Sequence, residues 1–117
     1  GVDDSLSARR SLMHFVQDLG YEVREARDGI EAASMIDLRV PDLVLVDMEM
    51  PRMNGLELTS HIRTSQNASK LPVIMITSRS SEKHRKAAMD QGVSHFMVKP
   101  FVEDELAQHI NTLLLVK

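Results

Sequence analysis

Cysteine is absent from the 117 residues. That excludes disulfides, thiolate metal sites and a cysteine nucleophile, and it suits the cytosol without requiring it. Tryptophan is absent too, and there are only one tyrosine and three phenylalanines. Any core must therefore be aliphatic, with the eight methionines as adaptable fillers. Charge of one sign is also scarce. The formal net charge is -3, which gives no case for a nucleic-acid-binding surface. No apolar stretch approaches the ~18 residues that a membrane span needs, and no signal peptide is recognisable. Repeats, low-complexity tracts and linker-like segments are missing as well. What remains is 43% hydrophobic, enough for one compact domain over residues 1–117.

The chain is organised around Asp42-Leu-Val-Leu-Val-Asp47-Met-Glu-Met-Pro51. Leu43 to Val46 is an unbroken apolar run, which fits a strand buried on both faces. Pro51 cannot continue a central strand, so the chain turns there. Asp47 thus stands at the carboxyl end of a buried strand, the edge where ligands bind in open α/β sheets.

The remaining pattern alternates helix and strand. Leu12, Phe15, Val16 and Leu19 mark a helix over about residues 6–19, with Ser5 or Ser7 as its cap and Gly20 as its stop. Tyr21 to Ala26 alternates weakly and predicts a short, partly exposed strand. A second helix spans residues 30–38, and Asn54-Gly55 opens a third with Leu56, Leu58 and Ile62 turned inward. Leu71 to Ser78 is a second buried strand, ending in hydroxyls; Pro72 near its start costs only a first ladder bond. Ser80 or Ser81 caps a fourth helix that Gly92 ends. Ser94 to Val98 is a short strand leading to Lys99-Pro100, and a last helix runs over about residues 103–115. Strict alternation implies parallel strands with right-handed crossovers and helices on both faces, a doubly wound α/β fold.

That topology brings Asp3, Asp4, Asp47, Thr77 and Lys99 to one edge. Carboxylates at close range repel one another, and a hard divalent cation such as Mg²⁺ relieves this. Lys99 can neutralise charge on a phosphoryl group as a point charge, and the Thr77 hydroxyl can donate to a phosphoryl oxygen. Asp47 is then free to act as an oxygen nucleophile.

With these separations, Asp3-Asp4, Asp47, Thr77 and Lys99-Pro100 resemble a response-regulator receiver domain of two-component signalling. Met50-Pro51 and Asn54-Gly55 agree with it, and the resemblance covers the whole chain. It implies a flavodoxin-like (βα)5 fold with strand order 2-1-3-4-5. It implies that Asp47 accepts a phosphoryl group from the phosphohistidine of a histidine kinase or histidine phosphotransfer domain. It implies that Mg²⁺ is ligated by Asp4, Asp47 and the backbone carbonyl of Glu49, with Asp3 holding a metal-bound water. Lys99 would pair with one phosphoryl oxygen, Thr77 would swing to another, and Phe96 would be the rotating aromatic of the switch. Such a domain catalyses its own phosphorylation and slow dephosphorylation, in the cytoplasm, without direct contact with nucleic acid or membrane. Asp-Asp-Ser-Leu-Ser-Ala-Arg-Arg, Asp-Met-Glu-Met-Pro-Arg-Met-Asn-Gly and Ile-Thr-Ser-Arg-Ser-Ser-Glu-Lys-His-Arg resemble receivers fused to chemotaxis-type hybrid histidine kinases. One departure stands out: only Gly1 and Val2 precede the acidic pair, where the family has a five-residue first strand. We expect a normal domain whose first strand is largely missing from this sequence; the other reading is a compromised fold.

Two further functional readings stay open. A phosphorylation-independent interaction module would keep the fold without signalling through Asp47. A haloacid-dehalogenase-like phosphatase would need a second Asp two residues after the nucleophile, where this chain has Glu49. Residues 14, 61, 84, 95 and 109 are histidines with no common ligand spacing and read as surface or boundary residues. Arg79 to Lys86 reads as a solvated helix start, and Met48, Met50 and Met53 as packing around the turn. Glu49 and Arg79 lie at equal offsets after Asp47 and Thr77. On parallel neighbouring strands this places both at the mouth of the site, where their opposite charges can pair across the path of an attacking water. Glu49 orienting that water, or both side chains pointing into solvent, are the competing readings.

Overall fold

The computed structural model describes residues 4–115, with side chains from Ser7 onward. Eight elements follow in the order α1 (Asp4–Asp18), α2 (Gly29–Leu38), β1 (Val44–Val46), α3 (Gly55–Thr64), β2 (Val73–Thr77), α4 (Glu82–Asp90), β3 (His95–Val98) and α5 (Glu103–Leu115). The strands form a parallel sheet in the order β1-β2-β3. Val46, Met75 and Phe96 stand at one level across it.

The apolar runs divide between two faces, as a period of two requires. Val46, Val73 and Met75 join Ala33, Leu58, Ile62 and Ala88 on the side of α2, α3 and α4. Ile74, Ile76 and Met97 join Val16, Leu106 and Ile110 on the side of α1 and α5. Every residue of β2 is buried, as expected of a strand covered on both faces. Together these features give the flavodoxin-like, doubly wound fold, and the three strands are the last three of the expected order 2-1-3-4-5.

Local chemistry sets the helix ends. The Asp28 side chain accepts from the Glu31 amide and caps α2. Asn54 and Glu57 form a reciprocal capping box at α3. Of the two serines proposed for α4, Ser81 is the cap. Gly20 (φ 100°) and Gly92 (φ 96°) end their helices in the left-handed region. Arg63, in the last turn of α3, donates to the carbonyls of Gly92 (3.0 Å), Ser69 (3.1 Å) and Leu71 (2.7 Å). It thereby ties three segments at the amino-terminal edge of the sheet, and partial burial pulls its guanidinium pKa below the ordinary value.

Two local expectations are corrected. Ser5 and Ser7 do not cap α1, because the helix already begins at Asp4 and contains them both. Tyr21 to Ala26 forms no strand. Its alternation is real: Tyr21 and Val23 pack on the α1–α5 side, while Glu22 and Arg24 are exposed. Alternation alone makes no ladder, however, and a strand needs a hydrogen-bonding neighbour. A cavity of about 820 Å³ separates this segment from Leu43–Val46. The segment is tied elsewhere, by the Tyr21 hydroxyl donating to Asn111 Oδ1 (2.9 Å) and by Arg24 donating to the Arg39 carbonyl (3.1 Å).

Candidate functional site

Asp47 follows the last residue of β1, and the chain turns beneath it. The Gly55 amide donates to the Met48 carbonyl at 2.9 Å, folding the start of α3 back under the strand end. A Cβ at residue 55 would stand 2.3 Å from the Asp47 carbonyl oxygen, so only glycine permits this approach. Within the turn, Arg52 takes a positive φ of 70° and reaches Asp28, the cap of α2, at 3.4 Å. Met48 is buried, with Met50 and Met53 packed against the same cluster, as expected.

Both carboxylate oxygens of Asp47 are held. Oδ1 accepts from the Glu49 amide at 3.0 Å, and Oδ2 accepts from Lys99 Nζ at 3.0 Å. The two side chains are each about one-third exposed (35%), open to a reactant yet partly shielded. Lys99 reaches Asp47 because its own amide donates to the Thr77 carbonyl at 2.8 Å, which pins the end of β3 to the end of β2. Thr77 is fully buried, and its hydroxyl oxygen accepts from the Arg79 amide at 3.1 Å. Phe96 is partly buried against the α2–α4 cluster.

Glu49 and Arg79 form an ion pair that bridges the loops after β1 and β2. The guanidinium hydrogen bond holds the Glu49 carboxyl below its ordinary range, and the same bond raises the Arg79 pKa. Both side chains are about half exposed (53% and 49%). Beside the pair a cavity of about 570 Å³ opens, with Met50, Pro51, Asn54, Leu56 and His84 among its walls. The rest of the Arg79–Lys86 stretch is mainly exposed, as read from the sequence.

The structure therefore brings together Asp47, Thr77, Lys99, Glu49 and Arg79. Asp3 lies outside the described residues, and Asp4 is described by its backbone alone, as the first residue of α1. No cluster of three or more potential metal-ligating side chains occurs among the described residues. What they do offer a cation is oxygen, from the Asp47 carboxylate and the neighbouring backbone. That suits a hard ion such as Mg²⁺ and no softer one. The sequence reading passed over two positions that build the site: Gly55, seen there only as a turn residue, and Arg52. The adjacent Pro51 and Asn54-Gly55 signals marked the turn but not how closely it approaches Asp47.

Fold and site together define a flavodoxin-like domain with a partly exposed carboxylate, Asp47, at the carboxyl edge of its sheet. The chain belongs to the response regulator receiver domain family, whose pattern matches residues 1–111. It is a receiver domain, the phosphoacceptor module of two-component signalling. Over 113 residues it is 37% identical to the response regulator MprA of Mycobacterium leprae, covering 97% of this chain and 49% of the relative. The chain thus spans about half the length of the curated relatives it matches. The receiver domain of a signal transduction histidine kinase from Syntrophus aciditrophicus superposes with a TM-score of 0.87 at 30% identity, over 95% of this chain and 85% of that one. The receiver domain of the sensor histidine kinase PA1611 from Pseudomonas aeruginosa gives 0.84 at 25% identity, over 91% and 87%. That crystal structure has a magnesium ion coordinated in the active-site cleft. Receiver domains generally bind Mg²⁺ and interact with histidine kinases or phosphotransfer proteins.

Proposed function

We propose that Asp47 is the phosphoacceptor and that Lys99 and Thr77 serve the phosphoryl group once it is attached. The observation that carries this is the 3.0 Å contact of Lys99 Nζ with Asp47 Oδ2. An oxygen of the Asp47 carboxylate attacks the phosphorus of a phosphohistidine. The P–O bond forms, the P–N bond breaks, and the imidazole leaves with the electron pair. The Glu49 amide orients the carboxylate, and Lys99 stands ready to follow the added negative charge. The residues that would hold Mg²⁺ are Asp3, Asp4, Asp47 and the carbonyl of Glu49. A bound Mg²⁺ supplies neutralisation of the carboxylates and of the incoming phosphoryl oxygens.

The test is incubation with a small phosphodonor and Mg²⁺, followed by intact mass. One phosphoryl group is expected on the wild type and none on Asp47→Asn. Equal labelling of the two proteins would remove Asp47 from this role, and an unlabelled wild type would favour the phosphorylation-independent module. We further propose a cytoplasmic domain carried on a hybrid histidine kinase of chemotaxis type. Support comes from the similar solved structures that are themselves receiver domains of histidine kinases. Phe96 is proposed as the aromatic that moves on activation, and the Glu49–Arg79 pair as a strap over the site.

A further inference from the structure

At the end of β3 farthest from Lys99, His95 meets His109 of α5. Their ring centroids are 4.0 Å apart and the planes are tilted by 30°. His95 shares its strand face with Met97, which belongs to the α1–α5 cluster. Both rings are half-buried. Among the described residues, no hydrogen bond or ion pair engages either one. The surroundings are mostly apolar. β2 brings Ile74, the register partner of His95, and α5 brings Leu106 and Ile110 to the same cluster. The ionisable group nearest in sequence on α5 is Glu105, one turn before His109 and exposed. On α1 the face toward this cluster carries Leu12, Phe15 and Val16, while Arg10, His14 and Asp18 are exposed. α4 covers the opposite face of β3, and its Lys86 and Asp90 pair with each other at 3.1 Å.

Two imidazoles stacked in this setting tolerate at most one positive charge. A second proton would place like charges face to face, with no carboxylate among the described residues paired to either ring. We propose that the His95–His109 stack is a proton-sensitive clasp holding α5 to β3, closed at neutral pH and opened by mild acidification. It lies apart from the phosphoryl site and does not depend on the assignment of Asp47. Desolvation first, and the charge of His109 second, hold the pKa of His95 below its ordinary value of 6.5. The unfolded chain therefore takes up a proton more readily than the folded one. The stability that the neutral clasp provides is complete above about 6.5 and is lost as the pH falls below that value toward the folded pKa.

The experiment is a titration of the histidine ring protons by NMR in the wild type, His109→Asn and His95→Asn. The expected wild-type midpoint of His95 lies below its ordinary value of 6.5 and rises in His109→Asn. The thermal midpoint of the wild type should also drop more between about pH 7.5 and about pH 5.5 than that of either variant. Should one variant fail to fold, the other still reports, through the pH dependence of its melting. An unchanged His95 midpoint in His109→Asn, or the same pH dependence of melting in the wild type and the folded variants, would overturn the clasp.

Discussion

Asp47 is held from two sides, by the amide of its own loop and by a lysine 52 positions away. Binding both oxygens fixes the direction of the carboxylate before any reactant arrives. The neighbouring Glu49–Arg79 pair extends this to the space above the site. At half exposure such a pair is weak, because solvent screens it. A strap need not be strong to slow hydrolysis, because each ~1.4 kcal/mol on a barrier is tenfold in rate. We predict that Glu49→Gln and Arg79→Ala each speed loss of the phosphoryl group at most several-fold, and that the double variant adds little. Slower loss in Glu49→Gln would instead assign Glu49 to orienting the water. The pH dependence has a definite sign. The Glu49 pKa is lowered by Arg79, so the strap is present above the ordinary carboxylate value and is lost only as the pH falls through the lowered one. Phosphoryl lifetimes measured at about pH 5 and about pH 7 should therefore show the same ratio of variant to wild type.

Among the elements, the turn from β1 into α3 is closely constrained. It carries the buried Met48, the left-handed Arg52 and the capping box of Asn54 and Glu57. Gly55 is where it comes closest to the Asp47 backbone. In Gly55→Ala the new methyl must displace the Asp47 backbone, since a Cβ would lie 2.3 Å from a carbonyl oxygen that cannot rotate away. Overpacking of this kind costs about 1–3 kcal/mol, against a helix-propensity gain of at most about 1 kcal/mol. The expected net result is a lower urea midpoint together with reduced phosphodonor labelling. A variant with unchanged stability and labelling would show that the turn can relax without disturbing Asp47.

At the scale of the molecule, burial is uneven. β2 is enclosed between two apolar clusters, whereas the segment 21–26 borders a cavity of about 820 Å³ and has no ladder among the described residues. Local stability follows such differences in packing and hydrogen bonding. We predict that amides of residues 22–25 exchange with solvent orders of magnitude faster than those of Ile74 to Ile76, which should exchange only through global unfolding. Comparable protection in the two regions would mean that 21–26 is held by a ladder after all.

The family, and the meeting of Asp47, Thr77 and Lys99 at one sheet edge, were legible in the order of residues. An apolar run ending in Asp47, a second ending in Thr77 and a third ending in Lys99 can be read without coordinates, because a strand buried on both faces leaves a continuous hydrophobic trace. Helix stops at Gly20 and Gly92 were equally readable, since a left-handed residue favours glycine. Pairing could not be read in this way. The alternation of Tyr21 to Ala26 is the same whether or not a neighbouring strand lies within hydrogen-bonding reach, and only the tertiary structure shows which. Close approach is likewise a property of three dimensions: nothing local to Gly55 records that the Asp47 carbonyl stands against it. The meeting of His95 with His109 is of the same kind. They stand fourteen positions apart in the chain, and only the docking of α5 on β3 brings the two rings to 4.0 Å. Local chemistry sets elements and their ends, whereas contacts between distant segments depend on how those elements pack.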